Sequence, residues 1–233
     1  VTPAAAVLFD VDGTLVDSNY LHVNAWYRAF AEAEVEVEAW RIHRSIGMDG
    51  SALLASLAEA ADEDTRARLK GLHSRYYTET APLLRRLPGV RELLEAVDKR
   101  GLQIVLATSA PDDELSILRE VLASDDLVSA VTSSNDVDTA KPEPDIVGVA
   151  LERAGVDVEH AVFVGDTVWD VEACKRAGVP TIAVLSGGVS RGELETAGAQ
   201  AVFDNPRDLC DHLDRTAIGQ LGGVQDTGSR LMP

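Results

Sequence analysis

Apolar and polar positions recur along this chain with two different periods, and the change from one to the other divides it. Val7 to Phe9 form a short apolar run, bounded by alanines before it and by Asp10, Asp12 and Gly13 after it. That is the pattern of a parallel strand buried on both faces. Val23, Trp26, Tyr27 and Phe30 then fall at i, i+3, i+4 and i+7, which predicts a helix with that face inward. Asp17-Ser18-Asn19 stands where its cap belongs. Further helices are predicted over 38–45, 51–60 and 64–79 with no strand-like run among them, until Pro82 and Pro88-Gly89 end the helical block.

From Gly89 onward helix and strand alternate. Helices over 90–100, 113–123, 144–154 and 168–177 precede strands over 104–107, 130–132, 161–164 and 181–184, and a strand over 201–203 with a helix over 206–213 closes the series. Gly101, Gly155 and Gly178 sit just past three of these helices, where a left-handed terminating residue is favoured. The expected fold is α/β: a doubly wound, Rossmann-like parallel sheet built from residues 1–15 and 86–233, with an all-helical cap, residues 16–85, inserted after the first strand. The polar, glycine-rich stretch 219–233 reads as a loosely held tail.

Composition narrows the partners. With 233 residues, 45% hydrophobic and 26% charged, the chain can bury one good core and a smaller second unit. A net charge of −18 disfavours nucleic acid and anionic membrane surfaces. The charge is uneven, because residues 16–85 hold 11 acids and 8 bases and so carry −3 of the total. Cys174 and Cys210, each in a predicted helix without a neighbouring Cys or His at metal-ligand spacing, read as structural thiols of a reducing compartment. No apolar run approaches a membrane span, and Val1 to Ala6 lack the basic start of a signal peptide. A cytoplasmic protein, monomeric or homodimeric, is expected.

The chemistry-bearing residues gather at predicted strand ends, where open α/β sheets place their ligands. The first strand delivers Asp10 and Asp12, the second Thr108 and Ser109, and the fourth Gly165-Asp166-Thr167 with Asp170 beyond, while Lys141 precedes Pro142 before the helix leading to the fourth strand. Clustered carboxylates repel unless a hard cation neutralises them, so Mg²⁺ is the expected cofactor. One carboxylate could attack phosphorus to give an aspartyl-phosphate, and the acid two residues on could protonate the leaving oxygen. Thr108 and Lys141 would neutralise phosphate oxygens.

Asp10-x-Asp12-Gly13-Thr14, Thr108, Lys141-Pro142 and Gly165-Asp166-Thr167-x-x-Asp170, in this order, resemble the four motifs of the haloacid dehalogenase superfamily of phosphotransferases, over a span from Val7 to about Leu213. The resemblance implies Asp10 as nucleophile and Asp12 as general acid/base and, through its carbonyl, metal ligand. It implies Asp10 and Asp166 as direct Mg²⁺ ligands with Asp170 supporting them, and Thr108 with Lys141 as the phosphate-binding pair, beside Gly13, Thr14 and Ser109. The dehalogenases that name the superfamily lack an acid at the place of Asp12, so a phosphatase of small phosphorylated metabolites is expected, similar to the phosphoglycolate phosphatase and β-phosphoglucomutase branch. The mutase is the alternative. Its cap loop carries a lysine and an arginine where this chain has Ile46 and Gly50. A slow, phosphate-binding regulatory protein is the alternative of another class. A signalling receiver fails on the order of its acids, and the end of the third strand, Thr132 to Asn135, offers no immediate Asp. On the cap side, His22 and Trp26 share a helix face that could border the cleft, and Gly47, in the loop 45–50, is a candidate substrate contact. Substrate choice is expected to lie with this loop and the cap helices.

Overall fold

The computed structural model describes residues 4–133, 136 and 141–221. Its centre is a six-stranded parallel sheet built from β1 (Ala6–Phe9), β4 (Gln103–Ala107), β5 (Ala130–Thr132), β6 (Ala161–Gly165), β7 (Thr181–Val184) and β8 (Ala201–Phe203), in the order β5-β4-β1-β6-β7-β8. β1 is thus central, with β4 on one side and β6 on the other. Phe9 aligns with Leu106 on β4 and with Val164 on β6, so Asp10, Thr108 and Asp166 all emerge at one edge of the sheet.

Alternate side chains along each central strand reach opposite faces, and both faces are covered. Val7, Phe9, Ile104, Leu106, Val162 and Val164 pack against α5 (Val90–Asp98), α6 (Asp112–Leu122) and α10 (Pro206–Asp211). Ala6, Leu8, Val105 and Phe163 pack against α7 (Asp145–Ala154) and α8 (Val168–Ala177). Two-sided burial is why these strands read as unbroken apolar runs.

The cap consists of α1 (Asn19–Glu32), α2 (Ala39–Ser45), α3 (Gly50–Leu57) and α4 (Glu63–Thr80), around a core of Trp26, Phe30, Ile42, Leu53, Leu54 and Leu69. It is joined to the sheet by a two-stranded antiparallel ribbon, β2 (Val16–Asp17) with β3 (Arg85–Arg86). Sequence pattern had no hold on strands of two residues.

Several local expectations change. Tyr27 is 51% exposed, and the inward face of α1 is His22, Ala25, Trp26, Ala29 and Phe30. Ser18 occupies the cap position of α1 without bonding its backbone, because its hydroxyl is drawn to Asp12. A helix absent from the sequence reading, α9 (Arg191–Ala197), follows a short 3-10 turn over Leu185–Gly187, and it buries little beyond Leu194. Gly219, Gln220 and Leu221, assigned to the tail, lie in α11 (Ala217–Leu221), which buries Ile218. The rest of that stretch, 222–233, lies outside the described residues, as do Val1 to Pro3, Ser134 and Asn135. Cys174 is buried and Cys210 half-buried, both as free thiols. Among the described residues no helix is long and apolar enough to cross a membrane.

Candidate active site

The register that aligns β1, β4 and β6 brings the three acids Asp10, Asp166 and Asp170 together, with carboxylate oxygens within 4.8 Å of one another. All three are buried, as is Lys141, whose ammonium lies 2.7 Å from Asp10 Oδ1 and 2.7 Å from Asp170 Oδ1. Burial pushes Asp10 upward from the ordinary carboxylate range against the pull of Lys141. Asp166 is pushed well up by burial and then by Asp170 and Asp10. Burial works against the charge on Lys141, but the Asp10 and Asp170 carboxylates override it and hold the ammonium above the ordinary lysine range.

Each acid is oriented differently. Asp166 accepts from Thr14 Oγ1 at 2.7 Å and from Asn19 Nδ2 at 2.8 Å. Gly13, with φ +71°, passes so close beneath it that a Cβ there would collide with Asp166 and Asn19. Asp170 Oδ2 accepts from the Thr167 N–H and hydroxyl at 3.0 and 2.7 Å, closing a capping box at the start of α8. Asp12 leaves the cluster: its carboxylate turns to the Ser18 hydroxyl and lies 3.2 Å from His22 Nε2. Burial raises Asp12, but His22 and Ser18 outweigh it and hold the acid below its ordinary value, while Asp12 holds His22 above its own against the pull of burial.

The donor set fits a hard divalent cation. With all three carboxylates ionised, the single ammonium would leave two negative charges uncompensated in a buried site, and it is this burial and repulsion that push Asp10 and Asp166 up. Asn19 Oδ1 is buried there without a hydrogen-bond partner. All-oxygen ligation of that charge suits Mg²⁺. Asn19 is a residue that sequence reasoning passed over as a helix cap; its amide joins α1 of the cap to a core acid 147 positions away.

A cavity of about 560 Å³ opens above the acids, between core and cap. Asp10, Asp12, Thr108 and Ser109 form its floor, with Thr108 Oγ1 also accepting the Ala110 N–H at 3.1 Å. His22, Trp26 and Gly47 line it from the cap. Gly47, with φ +99°, lies where a Cβ would press on Thr167. Gly13, Thr14 and Lys141 stand behind the floor rather than on the cavity wall, and the Thr14 hydroxyl is committed to Asp166. Glu114 and His73 are among the lining residues that went unnoticed. Glu114 reads as an ordinary acid in the first turn of a helix, yet it is buried, with His73 Nδ1 of the cap 3.5 Å away. His73 Nε2 in turn meets His22 Nδ1 at 3.1 Å. Burial raises Glu114 to about 7 and, with His22 next, drives His73 well below the ordinary histidine range.

Comparison with known proteins agrees with this geometry. The family model for haloacid dehalogenase-like hydrolases matches residues 7–184. A phosphoglycolate phosphatase of Rhodospirillum rubrum is 33% identical over 97% of this chain and 94% of its own. A phosphorylated carbohydrates phosphatase of Thermotoga maritima is 33% identical over 84% of this chain and 93% of its own. The crystal structure of a hydrolase from Pseudomonas syringae superposes with a TM-score of 0.88 at 37% identity, covering 91% of this chain and 99% of that one. With its inserted helical cap and its buried cluster of acids, the chain belongs to the haloacid dehalogenase-like hydrolases.

Proposed function

We propose that the protein is a Mg²⁺-dependent phosphatase of small phosphomonoesters, working through an aspartyl-phosphate on Asp10. The observation that carries this reading is the placement of Asp10 on the cavity floor, with its other side held by Lys141 at 2.7 Å and Thr108 beside it. The ammonium fixes one oxygen of the carboxylate and favours its ionised form against burial, and attack on phosphorus requires that form.

In the first step the free oxygen of Asp10 forms a bond to phosphorus as the bond to the leaving alcohol breaks. The alcohol oxygen takes its proton through Asp12, resupplied by the imidazole of His22 3.2 Å away, which Asp12 holds above its ordinary value. In the second step a water attacks phosphorus, Asp12 accepts its proton, and inorganic phosphate leaves with Asp10 restored. Thr108 and Ser109 would orient phosphate oxygens from the cavity floor, and Lys141 would offset the charge of the pentacoordinate state from behind Asp10. Asp10 and Asp166, with the Asp12 carbonyl, would hold Mg²⁺, and Asp170 would fix Lys141 and the loop of Asp166. When bound, the ion supplies charge neutralisation between these carboxylates and the phosphate dianion. We take residues 16–85 as the cap that covers this step.

The test is Asp10→Asn. The variant should keep its fold by circular dichroism and lose hydrolysis of p-nitrophenyl phosphate by at least about a thousandfold, since no nucleophile replaces the carboxylate. Turnover within about tenfold of the parent would overturn the covalent mechanism.

A further inference from the structure

The cavity is larger than its chemical floor needs, and its far wall has a chemical character of its own. A volume of about 560 Å³ suits a ligand of sugar size rather than a two-carbon acid. Away from Asp10 and Asp12, the wall carries three acids: Glu114 and Asp113 from the first turn of α6, and Asp49 from the cap loop. Among the described lining residues Lys70 is the one lysine or arginine, and it stands exposed, its Nζ donating to Ser51 Oγ at 2.6 Å.

Such a wall is rich in hydrogen-bond acceptors. The carboxylates of Glu114 and Asp113 accept and cannot donate when ionised, and Asp113 is already met by the Ser74 hydroxyl at 3.3 Å. Groups that enter must therefore bring donors, as hydroxyls do. A second anion would instead be set against the buried Glu114 and the exposed Asp113, an arrangement that selects against a ligand more strongly than missing contacts do. Trp26 adds an apolar surface at the same end, its indole stacked on His73 with ring centres 4.2 Å apart. A flat aromatic wall beside acceptors matches a carbon skeleton with C–H on one side and O–H on the other.

Resting on the phosphatase reading above, we infer that the alcohol carried by the phosphate is an uncharged polyhydroxylated skeleton, a sugar or polyol, and that Glu114 and Asp113 reject substrates bearing a second anion. These two residues determine specificity from the core side of the cavity, in the helix that follows the Thr108 strand end.

A matched pair of substrates tests this. Sorbitol 6-phosphate and 6-phosphogluconate share six carbons and their central hydroxyls, and differ in a terminal hydroxymethyl against a carboxylate. With the intact enzyme and Mg²⁺ at pH 8, where Glu114 is ionised, kcat/KM should favour the polyol at least about tenfold, a discrimination of the size that unpaired or repelled polar groups produce. Glu114→Gln and Asp113→Asn, singly and together, should narrow that ratio severalfold. The ratio within each variant cancels any loss of folded enzyme. Preference for 6-phosphogluconate, equal use of the two, turnover of neither, or a ratio unmoved in the double variant would each overturn the inference. Hydrolysis of p-nitrophenyl phosphate, measured alongside, keeps the phosphatase reading standing in those cases. Its absence would remove that reading and this one with it.

Discussion

Glu114 bears on stability as well as on the cavity wall, and its effect can be worked through. The side chain is 5% exposed, and the one imidazole beside it, His73, is held neutral by burial and by His22. Burial outweighs the pull of His22 and, with Asp12 and Asp113 adding to it, lifts the carboxyl from 4.5 to about 7 in the folded chain. Between those values the folded protein keeps a proton that the unfolded chain has released. Stability therefore falls as pH rises through that window and levels off above about 7. A rise of about 2.5 units corresponds to about 3 kcal/mol. Glu114→Gln replaces the neutral acid by a neutral group of the same shape, so parent and variant should differ by less than about 1 kcal/mol near pH 5. At pH 8 the variant should be the more stable by about 3 kcal/mol, or roughly 6–12 °C in Tm for a chain of this size. Urea or thermal denaturation of the two proteins at both pH values measures it, and groups common to both cancel in the difference. A gap that stays constant between pH 5 and 8, or a parent that gains on the variant as pH rises, would mean that Glu114 is ionised against a charged His73, and would refute the argument.

Other perturbations follow from the same contacts. Adding Mg²⁺ to chelator-stripped protein should raise its Tm, by about 2.7 kcal/mol of stabilisation at a hundredfold excess over Kd, and an unmoved Tm would mean that the three buried acids hold no ion. Gly13→Ala places a Cβ against Asp166 and Asn19 at a positive φ, so the Mg²⁺ titration of activity should shift to at least about tenfold higher concentration, and an unchanged midpoint would contradict that close approach. Phe30→Ala empties the centre of the cap core and should cost about 3–5 kcal/mol in urea denaturation, with a loss below about 1 kcal/mol showing that the cap repacks freely.

The strands and their ends were legible because a central parallel strand leaves little choice: Ala6 to Phe9 must be apolar on both faces, and the acids can follow only where the chain emerges. The helices of the cap were legible for the same reason of periodicity, although the face of α1 was misread. Val23 and Tyr27 fit a single-sided stripe, but α1 is buried against both the cap core and the core helices, which moves His22, Ala25 and Ala29 inward. What stayed hidden were polar pairs whose partners are remote in sequence. His73 and Glu114 lie on a cap helix and a core helix, Asn19 reaches Asp166 across the domain boundary, and Ser18 leaves its capping position for Asp12. Each has a local reading that satisfies ordinary helix chemistry, so nothing in the neighbouring residues signals the contact that tertiary packing prefers.

This bears on where substrate choice can reside. The sequence placed it in the insertion, and the loop from Ile46 to Gly50 does line the cavity. Yet the cavity wall also includes Ala110, Pro111, Asp113 and Glu114, which follow the second core strand and are not part of the insertion. The same side chains that border the cavity also meet across it: Glu114 approaches His73, and Ser74 donates to Asp113. A graft of residues 45–50 from a relative would thus replace one side of the cavity while leaving the opposing acids and their cap contacts in place. Exchanging specificity between two members of this fold then requires the first turn of α6 and its facing residues on α4 to move as a set, because a new carboxylate or cation on one side is felt by its neighbour on the other.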